Sequence, residues 1–364
     1  MAKIELLAPA GGENSLRAAV QSGADAVYLG GPKFSARRGA DNFSVEDIAE
    51  YAKYCHLYDV DVHVAVNTLI KEKELSELYD YVYSLNDAGV DALIIQDIGA
   101  AQKIHEILPD MPLHASTQMT VTSLEGVKHL EKMGFSRVVL ARELSKEEIK
   151  YICDNSKAEI EVFVHGAICM CYSGQCLMSS ILGGRSGNRG CCAQPCRLPY
   201  CITDEKNTTN NGYFLSPKDM ALISDLQELK CIGVSSLKIE GRLKRAEYVS
   251  AVVGIYRKYL DKISEKVSPE DMKELTDAFS RSGFTNGYFT GKLGENMMSH
   301  TTPGNVSDNQ FSAEAKARCA DDANFRKISV GIMMQEPLKY NYLNINSMQG
   351  TDLLFTAVHK NLQI

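Results

Sequence analysis

The chain has 364 residues, of which 45% are hydrophobic and 23% charged, and this ordinary balance excludes disordered, collagen-like and coiled-coil proteins. Its net charge of −7, from 39 basic and 46 acidic residues, argues against a general polyanion binder and leaves only local basic patches to consider. No apolar run reaches about 18 residues, and no basic region leads into an apolar stretch near Met1, so we expect a cytoplasmic protein without a membrane span or signal peptide.

In chain order, short apolar runs alternate with segments of helical period, which is typical of βα units that build a parallel sheet. Most helical segments begin near a residue that can cap the first turn, as at Ser44 and Ser145. The apolar runs predict eight strands, over 4–8, 25–30, 60–67, 91–96, 113–116, 137–141, 159–164 and 235–239.

The repeat of these units predicts the fold class. One motif occurs four times, as SGADAVYL, AGVDALII, MGFSRVVL and IGVSSLKI. It combines a glycine that ends a helix with the strand that follows. Eight strands in about 260 residues favour a closed (β/α)8 barrel of the TIM type over an open doubly wound sheet. We predict this barrel over residues 1–265, and over 266–364 an extension with a further helix at 268–280 and a small, incomplete β module at 328–355.

One long segment between residues 164 and 235 interrupts the repeat, where about 70 residues stand in place of the 20 or so that a helix and its loops need. We call residues 166–212 the cysteine loop. Loops of this length inside a compact domain are usually functional. Of the 11 cysteines in the chain, eight lie in the long segment, at Cys169, Cys171, Cys176, Cys191, Cys192, Cys196, Cys201 and Cys231.

The active site of a (β/α)8 enzyme lies at the carboxyl ends of the strands, and polar residues follow most of the predicted strands here. His165 could transfer a proton or bind an anion, or it could be a buried histidine bonded to a carbonyl. Arg242 could pair with Glu240 or hold a carboxylate or phosphate through two hydrogen bonds. The candidate site residues are Arg37, Asn67, Gln96, His114, Gln118, His165, Arg189, Lys238, Glu240 and Arg242.

The cysteines leave several chemistries open. Disulfides are disfavoured in a reducing compartment, and a lone catalytic thiol does not need so many neighbours. Zinc sites usually show paired C-x2-C knuckles, and the cysteine loop has none. Irregular spacing on a long loop suits a cubane cluster, which four thiolates approach from different directions. We favour an iron–sulfur cluster, with zinc or redox thiols as the alternatives.

The segment EVFVHGAICMCYSGQCLMSS resembles the signature of peptidase family U32, which reads as an acidic residue, Phe, Gly and Cys, then Ser-Gly-x-Cys and Ser. RSGNRGCCAQPCR, LSPKDM, SSLKIEGRLKRAEYV and LLAPAGGENSLRAAVQSGADAVYLG resemble further blocks of that family, so the resemblance spans residues 4–300. The family is named for collagenase-like peptidases. It also contains proteins that hydroxylate RNA bases or a quinone precursor without molecular oxygen, and these carry a [4Fe–4S] cluster on four cysteines.

The resemblance implies cluster ligands at Cys169, Cys176 and Cys192, and at Cys231 as the fourth. Cys196 is the alternative fourth ligand, because Ala221 stands where related sequences have a cysteine. The transfer-RNA members depend on prephenate, which the resemblance therefore implies as a co-substrate.

The leading hypothesis is an iron–sulfur-dependent, oxygen-independent hydroxylase of a tRNA or rRNA base. Its catalytic residues would be His165, Gln118 and Asn67, and the other candidates would bind substrate. Between 185 and 245, ten basic residues stand against six acidic ones, which suits phosphate contacts. The alternatives are a collagenase-like peptidase, although no G-x-S-x-G or H-E-x-x-H pattern occurs, and a zinc-stabilised binding protein. The sequence names neither an electron donor nor an oligomeric state.

Overall fold

The protein was analysed as a computed structural model that describes residues 3–37, 39–203, 209–299, 311–319, 329–332, 341–344, 358–359 and 362–363. Eight parallel strands close into a barrel in chain order, because the last strand pairs with both the first and the seventh. This confirms the predicted (β/α)8 fold. The barrel strands are β1 (Glu5–Pro9), β2 (Ala26–Leu29), β3 (Asp61–Val66), β4 (Ala92–Ile95), β5 (Leu113–Ala115), β6 (Phe135–Val139), β7 (Glu159–Ala167) and β11 (Ser236–Ile239).

Helices cover the outside of the barrel and begin where the sequence offers caps. Ser44 Oγ accepts a hydrogen bond from Asp47 N, and Ser145 Oγ from Glu148 N, as the cap signals predict. The α-helices are α1 (Glu13–Gln21), α2 (Val45–Leu57), α3 (Leu75–Asp87), α4 (Ile98–Ile107), α5 (Leu124–Lys132), α6 (Lys146–Asn155), α7 (Met178–Gly183), α8 (Leu226–Ile232), α9 (Ala246–Asp261), α10 (Pro269–Ala278), α11 (Gly287–Thr290) and α12 (Ala313–Cys319). Among the described residues, no helix is long and apolar enough to span a membrane.

Short strands lie outside the barrel. In the cysteine loop, β8 (Tyr200–Thr203) and β9 (Thr209–Gly212) form an antiparallel pair. β10 (Asp219–Ala221) runs antiparallel to the end of β7 and pairs with β12 (Phe284–Thr285). At the C-terminus, β13 (Ser329–Ile332) pairs with β14 (Asn341–Asn344), and β15 (Val358–His359) with β16 (Leu362–Gln363). The rest of the predicted β module lies outside the described residues, and the boundary at residue 265 stays a prediction.

The interior of the barrel is polar, although such interiors are usually filled by branched aliphatic side chains. Lys238 Nζ lies 2.8 Å from Glu161 Oε1, and both side chains are almost fully buried. Arg137 Nη1 lies 3.3 Å from Glu161 Oε2 and also pairs with Glu5. Burial alone would raise the pKa of Glu161, but the charges of Lys238 and Arg137 outweigh it and lower that pKa. The inside of the barrel therefore holds a charge-paired layer beneath the site.

Candidate functional site

The cysteine loop is anchored to the carboxyl ends of neighbouring strands. Its Ser173 donates from N to Glu143 Oε1 at 3.1 Å, and its carbonyl oxygen accepts from Thr120 Oγ1 at 2.6 Å. Gly174 has φ +78° and packs so closely that a Cβ added there would lie 2.3 Å from Gln118 O. These contacts hold the loop across the segments that follow β5 and β6.

We expect Gly174→Ala to displace the loop and to destabilise the protein by roughly 1–3 kcal/mol, because alanine adds both a strained φ and a clash. Gly184 in the same loop is the matched control, since it has φ +65° but open space where the Cβ would go. Denaturant unfolding of both variants measures the difference. Equal losses in the two variants would show that the contact with Gln118 does not position the loop.

Five cysteines of this loop lie near enough to interact electrostatically, because Cys171 acts on Cys169 and Cys176 as Cys196 does. Burial raises the pKa of the Cys196 thiol, Arg197 opposes that effect, and Cys169, Cys192 and Cys176 raise the pKa further through their charges. A Cβ added at Gly187 would lie 3.5 Å from Cys192 Cβ and 4.0 Å from Cys176 O, so this glycine seats those two cysteines side by side. All five thiols are free in the structure. The loop thus brings these five thiols into one neighbourhood.

An amide hydrogen bond supports one of these donors. Gln194 N donates to Cys192 Sγ at 3.3 Å, and Ala193 N donates to Ser179 Oγ at 2.9 Å, which fixes the backbone next to that cysteine. Hydrogen bonds to sulfur stabilise metal-bound thiolates and tune the potential of iron–sulfur clusters.

Cys231, predicted as the fourth ligand, lies elsewhere. It belongs to α8, which precedes β11, whereas Cys169 follows the parallel strand β7. Residues before and after parallel strands stand at opposite ends of a barrel, and Gly233 accordingly packs against Cys153 on α6. Cys231 therefore lies apart from the other predicted ligands in this structure, whereas the alternative, Cys196, lies near them, and the identity of the fourth ligand stays a prediction.

The barrel mouth beneath the loop gathers three guanidinium groups around one carboxylate. Arg142 Nη2 lies 2.8 Å from Glu240 Oε2, and Arg37 Nη2 lies 3.4 Å from the same oxygen. Arg142 also stacks on Phe163, with its Cζ 3.8 Å from the ring centroid. Burial alone would raise the pKa of Glu240, but Arg37, Arg142 and Arg242 lower it to about 2.

Arg242 is buried and donates from Nη1 to Ser35 Oγ at 2.9 Å, without a direct ion pair to Glu240 among the described residues. Burial and the charge of Arg37 lower the pKa of Arg242 to about 10. Three arginines stand against Glu240 and against Glu143, which interacts with Arg142, so about one positive charge lacks a carboxylate partner, and buried charges are normally paired. The mouth is therefore built to receive an anion.

Arg37 connects the mouth to the cysteines. Its pKa is raised mainly by Glu240, although burial opposes this, and also by the charges of Cys169 and Cys192. Asn67, predicted to be catalytic, accepts from Ala36 N at 3.0 Å through its Oδ1 and so positions the segment that carries Arg37. The guanidinium cluster and the thiol cluster are therefore neighbours.

Other predicted residues support the cysteine loop or lie buried inside the barrel. Gln118 supports the cysteine loop through its backbone, whereas Gln96 is buried at the end of β4 with no partner for Oε1 among the described residues. Arg189 Nη2 lies 2.7 Å from Glu74 Oε1 and ties the loop to the segment after β3. Lys238 is occupied by Glu161, and His114 stacks against a second histidine inside the barrel with its pKa lowered by burial. The substrate-binding roles predicted for these residues stay untested.

His165 does not face the mouth. The register between β7 and β11 shifts at this residue, and such a bulge redirects a side chain. Its ring centroid lies 5.5 Å from that of Tyr256 and 6.1 Å from that of Tyr248, both on α9, and 5.2 Å from that of Phe284. Burial, with Lys244 nearby, lowers the pKa of His165 to about 3. This neutral ring packs against aromatic side chains, which supports a packing role, while the predicted catalytic role stays untested.

This assignment predicts a pH effect on stability. Because the folded pKa of His165 lies below the ordinary 6.5, the unfolded chain binds the proton first, and the folded state loses stability as pH falls below 6.5. We expect His165→Leu to remove roughly 2–3 kcal/mol of that loss near pH 4.5. Denaturant unfolding at several pH values measures it, with exposed His129→Leu as the control. A pH slope that His165→Leu leaves unchanged would contradict the packing role.

One residue that sequence reasoning missed is Lys244. Burial and the charge of Arg281 lower its pKa to about 7, and its Nζ lies over the ring of Phe279. Arg281 Nη1 in turn pairs with buried Asp219 at 2.6 Å. Its position two residues after Arg242, in the segment that follows β11, could have identified Lys244 from the sequence.

Comparisons with known proteins identify relatives of this chain. Residues 11–299 match the model of the family described as Peptidase family U32. The chain is 43% identical over 266 residues to the "23S rRNA 5-hydroxycytidine C2501 synthase" of Escherichia coli (strain K12), covering 72% of this chain and 40% of that protein. It is 39% identical over 267 residues to the "tRNA hydroxylation protein P1" of Bacillus subtilis (strain 168), covering 71% and 63%.

A third relative carries a different name. The chain is 33% identical over 313 residues to the "Collagenase" of Porphyromonas gingivalis (strain ATCC BAA-308 / W83), covering 80% of this chain and 75% of that protein. The chain thus spans less than two thirds of the length of the two RNA-modifying relatives and three quarters of the third.

Proposed function

Since the chain belongs to peptidase family U32, we propose that it is an iron–sulfur-dependent enzyme that hydroxylates a base of tRNA or rRNA without molecular oxygen. The observation that carries the proposal is the meeting of Cys169, Cys176, Cys192 and Cys196 directly above a barrel mouth rich in guanidinium groups. Two relatives named for RNA hydroxylation support the substrate class, and a reducing cytoplasm suits four free thiols.

The four thiols fit a [4Fe–4S] cluster better than a single zinc ion. Zinc at about 2.3 Å from each of four sulfurs would bring those sulfurs within roughly 4 Å of one another. Among the described residues, the one group of three or more donors that lies mutually within 4.8 Å contains no cysteine. A cubane spaces its thiolates more widely, and when bound it would supply one-electron chemistry beside the mouth.

The residues of the mouth would bind and orient an anionic co-substrate, for which we propose prephenate. Arg37 and Arg242 would pair with its carboxylates, because they are the guanidinium groups that Glu240 neutralises least directly. Glu240 and Phe163 would hold Arg142 in place. Exposed Arg185 on the cysteine loop is available for an RNA phosphate.

A peptidase is the second candidate because one relative is named a collagenase. Hydrolysis by a cysteine nucleophile needs an imidazole base within hydrogen-bond reach of the thiol. His165, the histidine next to the cysteine loop, contacts Tyr248, Tyr256 and Phe284 instead, and its Nε2 has no hydrogen-bond partner among the described residues. We therefore do not assign peptidase activity.

Mass analysis of rRNA and tRNA from cells with and without the gene tests the proposal. We expect one nucleoside to lose a single oxygen atom in the deletion strain. Re-expression of the wild type or of Cys231→Ser should restore that oxygen, whereas Cys176→Ser should not. RNA of identical mass in all strains would contradict the proposed activity.

A further inference from the structure

A group of side chains of the kinds that can bind a metal ion lies at the opposite end of the barrel from the cysteine loop. Glu5 is the first residue of β1, Asp61 is the first residue of β3, and His63 lies two residues further along β3. One carboxylate oxygen of each acid and one ring nitrogen of His63 all lie within 4.8 Å of one another. The three donors come from two strands that β2 separates.

Glu5 is held in a fixed orientation. Its Oε2 accepts from Arg137 Nη2 at 2.9 Å, and its Oε1 accepts from Ser236 Oγ at 2.7 Å. Oε1 also accepts from Arg137 Nη1 at 2.5 Å, so Oε2, with one printed donor, is the oxygen that retains a lone pair. Carboxylates that bind metal ions are commonly oriented by such outer hydrogen bonds.

The other two donors lack partners. His63 is 2% exposed, and its Nδ1 has no hydrogen-bond partner among the described residues. Buried polar groups are nearly always hydrogen-bonded, so a buried imidazole beside two carboxylates calls for a further ligand. Asp61 forms no side-chain hydrogen bond or ion pair within the described part of the chain, and it lies at the exposed rim where an ion can enter.

Charge at this end of the barrel is also unbalanced. The permanent positive charges here are Arg137 and Lys238, and His56 Nε2 lies 2.9 Å from Asp91 Oδ2. The acidic side chains that act on these groups are Glu5, Asp59, Asp61, Asp91, Glu159 and Glu161. Even with His56 protonated, these acids outnumber the cations that pair with them, so the cluster attracts a cation.

We propose that Glu5, Asp61 and His63 bind one first-row divalent metal ion, which links β1 to β3 across β2 at the base of the barrel. One imidazole and two carboxylates suit Mn²⁺, Fe²⁺ or Zn²⁺, whereas Mg²⁺ and Ca²⁺ prefer oxygen ligands alone. The amino-terminal face of such barrels contributes stability rather than catalysis, so the ion is structural. The proposal does not depend on the activity proposed above.

Mn²⁺ is the probe of choice, because it favours nitrogen and oxygen ligands over the thiolates of the cysteine loop. Electron paramagnetic resonance of the full chain titrated with Mn²⁺ reports bound ion, and thermal unfolding reports the stabilisation that binding brings. We expect one Mn²⁺ per chain in the wild type. We expect affinity to fall at least tenfold in Asp61→Asn and in His63→Gln, and the rise in Tm with Mn²⁺ to disappear.

Two variants serve as controls for the Mn²⁺ titration. Asp87→Asn removes an exposed carboxylate at the end of α3, and Cys176→Ser removes a thiol of the cysteine loop; both should bind Mn²⁺ like the wild type. Because Asp61 is exposed, its asparagine variant should fold even if the His63 variant does not. Binding by Asp61→Asn as tight as that of the wild type, or loss of binding in Cys176→Ser alone, would overturn the proposal.

Discussion

Replacing Cys196 by serine is expected to remove most of the iron from the anaerobically purified protein, whereas replacing Cys231 by serine is expected to leave the iron content unchanged. Cys196 lies with Cys169, Cys176 and Cys192, and a cubane that loses one of four thiolates is held poorly. Cys231 stands on α8, at the opposite end of the barrel from the cysteine loop. Iron analysis and the visible absorption of the purified variants measure the effect.

Cys201→Ser is a further control, because this exposed cysteine lies in the loop on β8. It should behave like Cys231→Ser. Loss of iron from Cys231→Ser with full retention in Cys196→Ser would restore the ligand set first predicted from the sequence and contradict the geometry of the loop.

The second large effect is expected from Glu240→Gln, which should lower the free energy of unfolding by about 3–5 kcal/mol, as is typical when one partner of a buried ion pair is removed. Glutamine keeps the shape of the side chain but leaves Arg37, Arg142 and Arg242 around a neutral group. Denaturant unfolding at neutral pH measures the loss. The control is Glu106→Gln, because Glu106 pairs with Lys103 on the surface and exposed pairs contribute little.

The same comparison has a pH signature. The folded pKa of Glu240 is lowered from 4.5 to about 2, so its stabilisation is fully present above pH 4.5 and is lost as pH falls towards 2. The difference in stability between wild type and Glu240→Gln should therefore shrink over that range. A difference that stays constant down to low pH would mean that the charge of Glu240 does not stabilise the fold.

The fold was predictable because each barrel strand is a short apolar run and several helices, such as α2, α5 and α6, begin at a serine that caps the first turn. All eight predicted runs are barrel strands, and β3 illustrates why: apart from Asp61, every residue from Val62 to Val66 is buried. Because both faces of these strands are buried, the pattern of apolar residues does not show which side chains point into the barrel. The buried ion pair of Arg137 and Glu161 could therefore not be predicted from that pattern.

The site was only partly predictable. A sequence cannot show a bulge, so nothing indicated that His165 turns towards α9. The position of Cys231 did carry a usable signal, because residues that precede a strand lie at the end of a barrel opposite the active site. The spacing of the cysteines alone could not favour Cys196 as the fourth ligand. Its distance from the other thiols depends on how the cysteine loop folds over the residues after β5 and β6.

Native mass spectrometry of the intact, anaerobically purified chain tests most directly whether the cysteine loop holds an iron–sulfur cluster. The account predicts a mass above that of the polypeptide by about four iron and four sulfide, with the excess lost in Cys192→Ser. An excess equal to one zinc ion, or a bare polypeptide under strictly anaerobic conditions, would contradict it.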